Sequence, residues 1–206
     1  MFDAALRARF GEAVETAGAA IARLRVSGDA LTAAGVLLCI PLFIALAQGA
    51  YGWALLFLVL NRLMDLLDGP VARACGPSPL GGYFDICSDY IFYGGFVFFF
   101  ALGQAESALA AAFLLFSFVL SGTSFLAFAI LAARHGWTSE AQGRKSFFYQ
   151  RGLAEGAETF VVFVLMALLP QAFAIFAVIF GLVCVATAVQ RAVITIATAR
   201  DYGLLS

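Results

Sequence analysis

The sequence predicts an all-α integral membrane protein, six transmembrane helices preceded by an amphipathic juxtamembrane helix. Three observations carry this. Of 206 residues, 63% are hydrophobic and only 12% are charged, with a mean hydropathy of +0.97; a soluble domain is about half apolar and about a quarter charged. Such a chain has too little polar side chain to cover its own core, so its solvent is lipid. A bilayer crossing needs ~20 apolar residues, and the chain lays out six such stretches with short connections. The charges, finally, are gathered at particular points along the chain. Residues 1–28 are expected to form the surface helix and a linker, and residues 29–206 the six-span domain. Secreted, fibrous and disordered classes are excluded, and so is a nucleic-acid binder, which would need a basic surface where this chain has a net charge of −1.

The first element lacks the continuous apolar run of a secretory signal, because Asp3, Glu12 and Glu15 stand among its arginines. Phe2, Leu6, Phe10, Val14, Ala17, Ile21 and Leu24 recur every three or four residues with Arg7, Arg9, Glu12 and Arg23 between them. This is an amphipathic helix, lying on a membrane surface or docked on the spans. Ser27-Gly28-Asp29 interrupts it, and Asp29 can cap the next helix.

The spans are predicted at 30–48, 51–73, 82–103, 107–133, 152–169 and 171–197. The connections near Gln48–Tyr51, Gly103–Glu106 and Pro170 hold no Lys or Arg, whereas Arg7, Arg9, Arg23, Arg25, Arg73, Arg134, Arg144, Lys145, Arg151 and Arg200 gather on the other side. The positive-inside rule then puts both termini and the longer loops in the cytoplasm. Arg62 and Arg191 fall within spans, where they snorkel or meet a buried acid. Runs such as Phe96 to Phe100 read as matching to lipid, and Gly94-Gly95 as a point of close helix packing. Cys39, Cys75, Cys87 and Cys184 lie in or near apolar segments without metal-ligand spacing and read as buried, inert thiols. His135 is the single histidine, which argues against a zinc site.

The informative stretch begins at the end of the second span. It reads Asp65-Leu66-Leu67-Asp68-Gly69-Pro70-Val71-Ala72-Arg73, then, after seven residues, Gly81-Gly82-Tyr83-Phe84-Asp85-Ile86-Cys87-Ser88-Asp89. Spacings of three and four put Asp65 with Asp68, and Asp85 with Asp89, on one helical face each. At ~1.5 Å per residue from the opposite membrane face, Asp65 and Asp68 lie about 21 and 26 Å down the second span. Asp89 and Asp85 lie about 21 and 27 Å down the third. Four carboxylates therefore reach one depth, near the cytoplasmic side.

Each aspartate facing lipid near the bilayer centre costs roughly 2.5–3.5 kcal/mol, and four anions together repel. Pairing with Arg62, Arg73 or Arg191 is one remedy. Two divalent cations, Mg²⁺ or Mn²⁺, are the stronger one, since these hard ions take carboxylate oxygens together with substrate phosphates. Gly69 lets a ligand approach the backbone or ends the helix. Pro70 has no N–H, so the Leu66 carbonyl loses its helical partner and can face a metal. Arg73 offers a fork for a phosphate or a counter-charge for Asp68, and Gly81 a second point of close approach.

This pattern is similar to the signature of the CDP-alcohol phosphotransferase (phosphatidyltransferase) family, D-x2-D-G-x2-A-R-x7-8-G-x3-D-x3-D, with Asp65, Asp68, Gly69, Ala72, Arg73, Gly81, Asp85 and Asp89 at its fixed positions. The resemblance extends over the chain, because the family has a surface N-terminal helix and six spans with a cytoplasmic active site, and its members are typically homodimers. It implies transfer of a substituted phosphate from a CDP-alcohol, usually CDP-diacylglycerol, to the hydroxyl of a small alcohol, with release of CMP, in a bacterial inner membrane. It implies that Asp65, Asp68, Asp85 and Asp89 hold two metals, that Asp89 is the base, and that Gly69, Ala72, Arg73 and Gly81 contact the nucleotide. The family's P-N-x-L-T stretch at the first span matches Gly28-Asp29-Ala30-Leu31-Thr32, which places Thr32 with the nucleotide contacts and Asp29 where the family often has Asn.

For the acceptor, Arg134, Arg144, Lys145 and Arg151 could hold a phosphate or simply be positive-inside charge. Glu155 and Glu158, entering the fifth span at the depth of the aspartates, could bind sugar hydroxyls or an amine, or face the positive end of their helix. This region resembles a bacterial branch of the family and departs from its better-known acceptor signatures. A cation-coupled transporter with intramembrane carboxylates is the competing class; the acids sit near one face, and no inverted repeat shows. An intramembrane prenyltransferase resembles the pattern more loosely, and a binding subunit without catalysis is disfavoured because every aspartate is in place.

Overall fold

A computed structural model of the protein describes residues 2–76, 79–137 and 152–203. Among these residues there are helices and no strands: α1 (Phe2–Arg23), α2 (Gly28–Ala47), α3 (Tyr51–Cys75), α4 (Pro79–Gly103), α5 (Ala108–His135), α6 (Gly156–Leu168) and α7 (Phe173–Asp201), with short 3₁₀ turns at Ala105–Ser107 and Pro170–Ala172. The tight connections at Gln48–Ala50, before Ala105 and at Pro170 fall where the sequence places them.

Four stretches, Gly28–Ala47, Leu80–Gly103, Ala105–His135 and Pro170–Asp201, are long and apolar enough to cross a membrane. Their outer faces are apolar too. On α7 alone, Ile175, Ile179, Leu182, Val189 and Val193 are exposed, a surface that water does not tolerate in a monomer. The other two predicted spans differ for separate reasons. α3 is 25 residues long but carries Arg62, Asp65, Asp68 and Arg73. α6 has 13 residues, about 20 Å of helix, because the chain at Gly152–Glu155 is not helical where the apolar pattern suggests a start at 152.

Several local expectations are corrected. The cap of α2 is Ser27, whose Oγ accepts the Ala30 N–H at 3.2 Å, and Asp29 lies inside the first turn, where its charge complements the helix dipole. Gly69 and Pro70 do not end α3, which runs on to Cys75. The terminating glycine is Gly76, at φ 101°, a conformation that a Cβ would strain. Cys75 at that helix end is exposed and Cys87 half-buried, while Cys39 and Cys184 are buried. Phe96 and Phe100 do not face lipid. They stack on Phe163 of α6 and Phe173 of α7 with ring centroids 3.9 and 4.1 Å apart, and all four are fully buried; only Phe98 of that run is well exposed. Of the glycine pair, Gly95 lies under the Phe43 ring, while nothing lies within 4 Å of where a Gly94 side chain would begin.

The core gathers in one half of the bundle. Leu42 and Leu46 of α2, Leu58 of α3, Phe92, Phe96 and Phe100 of α4, Leu114 of α5, Phe163 of α6 and Phe173 and Phe180 of α7 form one cluster. The other half holds the aspartate segments and is packed by small residues. Gly28 of α2 meets Ala72 and the Asp68 carbonyl of α3, and Gly18 of α1 meets Pro70. Here α1 docks against the C-terminal half of α3. Large side chains seal one end of the bundle, and small ones leave room at the other.

Candidate active site

Asp65 and Asp68 stand one turn apart on α3, and Asp85 reaches them from α4. One oxygen of each lies within 4.8 Å of the others. A divalent cation with carboxylate ligands at ~2.0–2.6 Å spans about that separation between opposite oxygens, so this all-oxygen trio could hold a hard divalent metal ion. Asp68 is buried and is held from α2, where the Thr32 hydroxyl donates to its Oδ2 at 2.8 Å. Thr32 can do this because Gly28, one turn earlier, lets α2 and α3 cross closely: a Cβ at Gly28 would lie 2.7 Å from the Ala72 Cβ and 2.9 Å from the Asp68 carbonyl oxygen.

Asp89 stands apart from the trio. Its Oδ1 accepts from Arg62 Nη1 at 3.1 Å, and the same nitrogen lies 3.4 Å from Asp65 Oδ2. Arg62 thus meets two half-buried acids, close to one of the two fates expected of an arginine inside a span. Arg191 Nη1 donates to the Ser121 carbonyl at 3.0 Å and lies 3.2 Å from the Ser121 hydroxyl, with the guanidinium over the Phe125 ring. Arg73 does not pair with Asp68 but with Glu15 of α1, both side chains being about half exposed. A side chain at Gly69 would begin 3.3 Å from the Arg73 guanidinium, so the glycine leaves room for that fork.

These residues open onto a cavity of about 540 Å³, within the usual range for small-ligand sites. Thr32, Asp68, Gly69, Ala72, Arg73, Gly81, Asp85, Asp89 and Glu155 are on its wall. Asp65 lies behind it, and Leu66 has an exposed side chain away from it. Glu155 begins α6, with its Oε1 accepting the Gly152 N–H at 2.9 Å, and Glu158 is in the first turn. Both positions favour an anion at a helix N-terminus. Glu158 is not on the cavity wall, nor is Arg134, which is exposed in the last turn of α5. Arg144, Lys145 and Arg151 lie outside the described residues. The wall also includes Tyr90, Tyr93, Ser121, Thr159 and Arg191, which the sequence reading does not assign to a site. Among them only Arg191 has a signal in the sequence, as a charge inside an otherwise apolar helix.

The family profile for CDP-alcohol phosphatidyltransferase matches residues 26–199. The inner membrane protein YnjF of Escherichia coli is 43% identical over 167 residues, covering 81% of each chain. With the carboxylate trio and its cavity inside the matched region, the chain belongs to the CDP-alcohol phosphatidyltransferase family, transferases of substituted phosphate groups that take a phosphatidyl group from a CDP-alcohol.

Proposed function

We propose that the protein is an integral enzyme of the bacterial inner membrane that transfers the phosphatidyl group of CDP-diacylglycerol to the hydroxyl of a small polar alcohol and releases CMP. The observation that carries this reading is the convergence of Asp65, Asp68 and Asp85 at a cavity that also holds Arg73, Gly69 and Gly81. α3 and α6 complete six spans with the four apolar helices, α3 because its charges turn inward to the site and α6 because the residues before it extend its apolar segment. Both termini and the active site face the cytoplasm, α1 rests on that surface, and the protein is a homodimer.

Asp65, Asp68, Asp85 and Asp89, with the Leu66 carbonyl, provide the oxygen ligands for two Mg²⁺ or Mn²⁺ ions. When bound, such ions neutralise the diphosphate and the charge that develops on the departing CMP. Thr32, Gly69, Ala72, Arg73 and Gly81 receive the nucleotide, Arg73 by its fork on a phosphate oxygen. Asp89 takes the proton of the acceptor hydroxyl. The acceptor oxygen forms a bond to the phosphatidyl phosphorus while the bond from that phosphorus to the bridging oxygen breaks, and CMP leaves with the electron pair. Glu155, on the cavity wall, is offered to the acceptor, and Glu158, Arg134, Arg144, Lys145 and Arg151 are the further acceptor contacts that the sequence suggests. Access from the lipid side lets the acyl chains of the donor remain in the bilayer, and the water-poor cavity limits its hydrolysis.

The test is CMP release by the purified protein with CDP-diacylglycerol, Mg²⁺ or Mn²⁺ and a panel of alcohols: polyols, sugar phosphates, glycerol 3-phosphate and amino alcohols. The expected result is release that depends on one acceptor class, stops with chelator and returns with metal. Ion uptake into proteoliposomes, indifferent to CDP-diacylglycerol and without CMP release, would establish the transporter reading instead.

A further inference from the structure

Residues Gly152–Glu155 precede α6 and are not helical, yet specific contacts fix them. The Ala154 N–H donates to Thr187 Oγ1 of α7 at 3.0 Å. Thr187 is fully buried and gives its own hydroxyl hydrogen to the Val183 carbonyl at 2.8 Å, which leaves the oxygen to accept from the strap. A Cβ at Gly152 would collide with Thr187 Cγ2 and lie 3.0 Å from Arg191 Nη2, so only glycine lets the strap lie this close to α7. Glu155 closes the strap at its other end. Its Oε1 accepts the Gly152 N–H at 2.9 Å, and its carbonyl accepts the Thr159 N–H at 3.0 Å and the Thr159 hydroxyl at 2.9 Å.

Ala154, Glu155, Gly156 and Thr159 are on the cavity wall, whereas Thr187 lies behind them and is not. A Cβ at Gly156 would begin 3.7 Å from Tyr93 Oη of α4, and Tyr93 stands one helical turn from Asp89, both of them on the same wall. The strap therefore sets Glu155 within a small molecule's reach of Asp89. We propose that Thr187 is a positioning residue for acceptor specificity: through the Ala154 N–H it holds the Gly152–Glu155 strap on α7, and so aims the Glu155 carboxylate at a hydrogen-bond donor of the acceptor. That donor is a second hydroxyl or an ammonium, because an ionised carboxylate only accepts. The proposal rests on the reading of Glu155 given under the proposed function and deepens it. With Oε1 tied to the Gly152 N–H, the carboxylate is fixed only as well as the strap is, and the strap is fixed by Thr187.

The experiment compares wild type, Thr187→Val, Thr187→Ser, Glu155→Gln and the Thr187→Val, Glu155→Gln double variant in one detergent. The acceptor is the alcohol of the panel above that gives the most CMP release, polyols and amino alcohols telling hydroxyl from ammonium. Thr187→Val keeps the shape and removes the partner of the Ala154 N–H. It is expected to raise the acceptor KM about threefold or more, to leave the donor KM within about twofold, and to speed hydrogen exchange in peptides covering 152–155. Thr187→Ser keeps the bond and is expected to restore both readouts. Glu155→Gln is expected to raise the acceptor KM further, and adding Thr187→Val to it to change that KM by less than about twofold, because the two act as one unit. A residue that merely supports the fold would raise both KM values and multiply with Glu155→Gln, and that result overturns the proposal. So does a wild-type acceptor KM in Thr187→Val or Glu155→Gln, or wild-type exchange in Thr187→Val. Should Thr187→Val not fold, Gly152→Ala, which pushes the strap from its other side, takes its place in the same comparison. Failure of the parent reading looks different: wild type itself would release no CMP with any alcohol, although Thr187→Val still loosens the strap.

Discussion

Thr32 on α2 donates its hydroxyl hydrogen to Oδ2 of Asp68 on α3 at 2.8 Å, although 36 residues separate them. The bond ties the start of one helix to the most buried acid of the site. A hydrogen bond to a charged group contributes about 1.5–3 kcal/mol. Thr32→Val, which keeps the shape and removes the donor, is therefore expected to lower kcat/KM about tenfold or more, while Thr32→Ser retains most of it. CMP release by the two variants at equal Mn²⁺ checks this. Equal activity of Thr32→Val and wild type would show that Asp68 does not depend on α2.

The separation of Asp89 from the carboxylate trio leads to a pair of opposite expectations. Asp85→Asn removes one of three converging carboxylates and is expected to abolish the rise in melting temperature expected of the wild type with Mn²⁺. Asp89→Asn leaves that trio intact, so it is expected to lower the rise only in part and to lose transfer by about 10²-fold or more, as for loss of a general base. Differential scanning fluorimetry beside the CMP assay distinguishes them. Undiminished CMP release by Asp89→Asn would remove the base assignment.

Gly28 and Gly94 are both helical, and their surroundings give opposite signs. A Cβ at Gly28 falls within 3 Å of Ala72 and of the Asp68 carbonyl, whereas nothing lies within 4 Å at Gly94. Gly28→Ala is expected to destabilise by about 1–3 kcal/mol through overpacking and to weaken the Mn²⁺ response, because it wedges Thr32 away from Asp68. Gly94→Ala is expected to be neutral or to stabilise by up to about 1 kcal/mol. Melting temperatures in one detergent check both.

The Arg73–Glu15 pair sets a helix outside the matched family region against a residue of the proposed nucleotide site. The pair is half exposed, and such pairs contribute only ~0.2–1 kcal/mol, so Glu15→Gln is expected to leave the melting temperature unchanged. It frees the Arg73 fork for a phosphate, and the donor KM is expected to fall by up to about threefold, the difference fading at high salt. Arg73→Ala is expected to raise the donor KM about tenfold or more. A higher KM in Glu15→Gln would mean that Glu15 orients Arg73 for the nucleotide instead of competing for it.

The chain by itself determined its class, the places of its tight connections and the level along the helices at which Asp65, Asp68 and Asp85 meet. These follow from composition, from runs of apolar residues and from the constant rise of a helix, all properties of a linear pattern. The same regularity put Asp65 beside Asp68 and Asp85 level with them. It failed where neighbours in space decide. Phe96 and Phe98 are equally apolar in the sequence, yet one stacks on Phe163 and the other is exposed, because only the arrangement of α4 against α6 and α7 tells core from lipid. Gly69-Pro70 carries a strong breaking signal, but α3 continues because its packing against α1 and α2 outweighs the lost backbone bond. Above all, equal depth brought four carboxylates within reach of one another, and tertiary structure divided them. Arg62, held by Asn61 of its own helix and the Phe92 ring of α4, sets one Nη1 against both Asp89 and Asp65 while Asp65, Asp68 and Asp85 meet; a contact set built from separate helices leaves no spacing in the sequence to read.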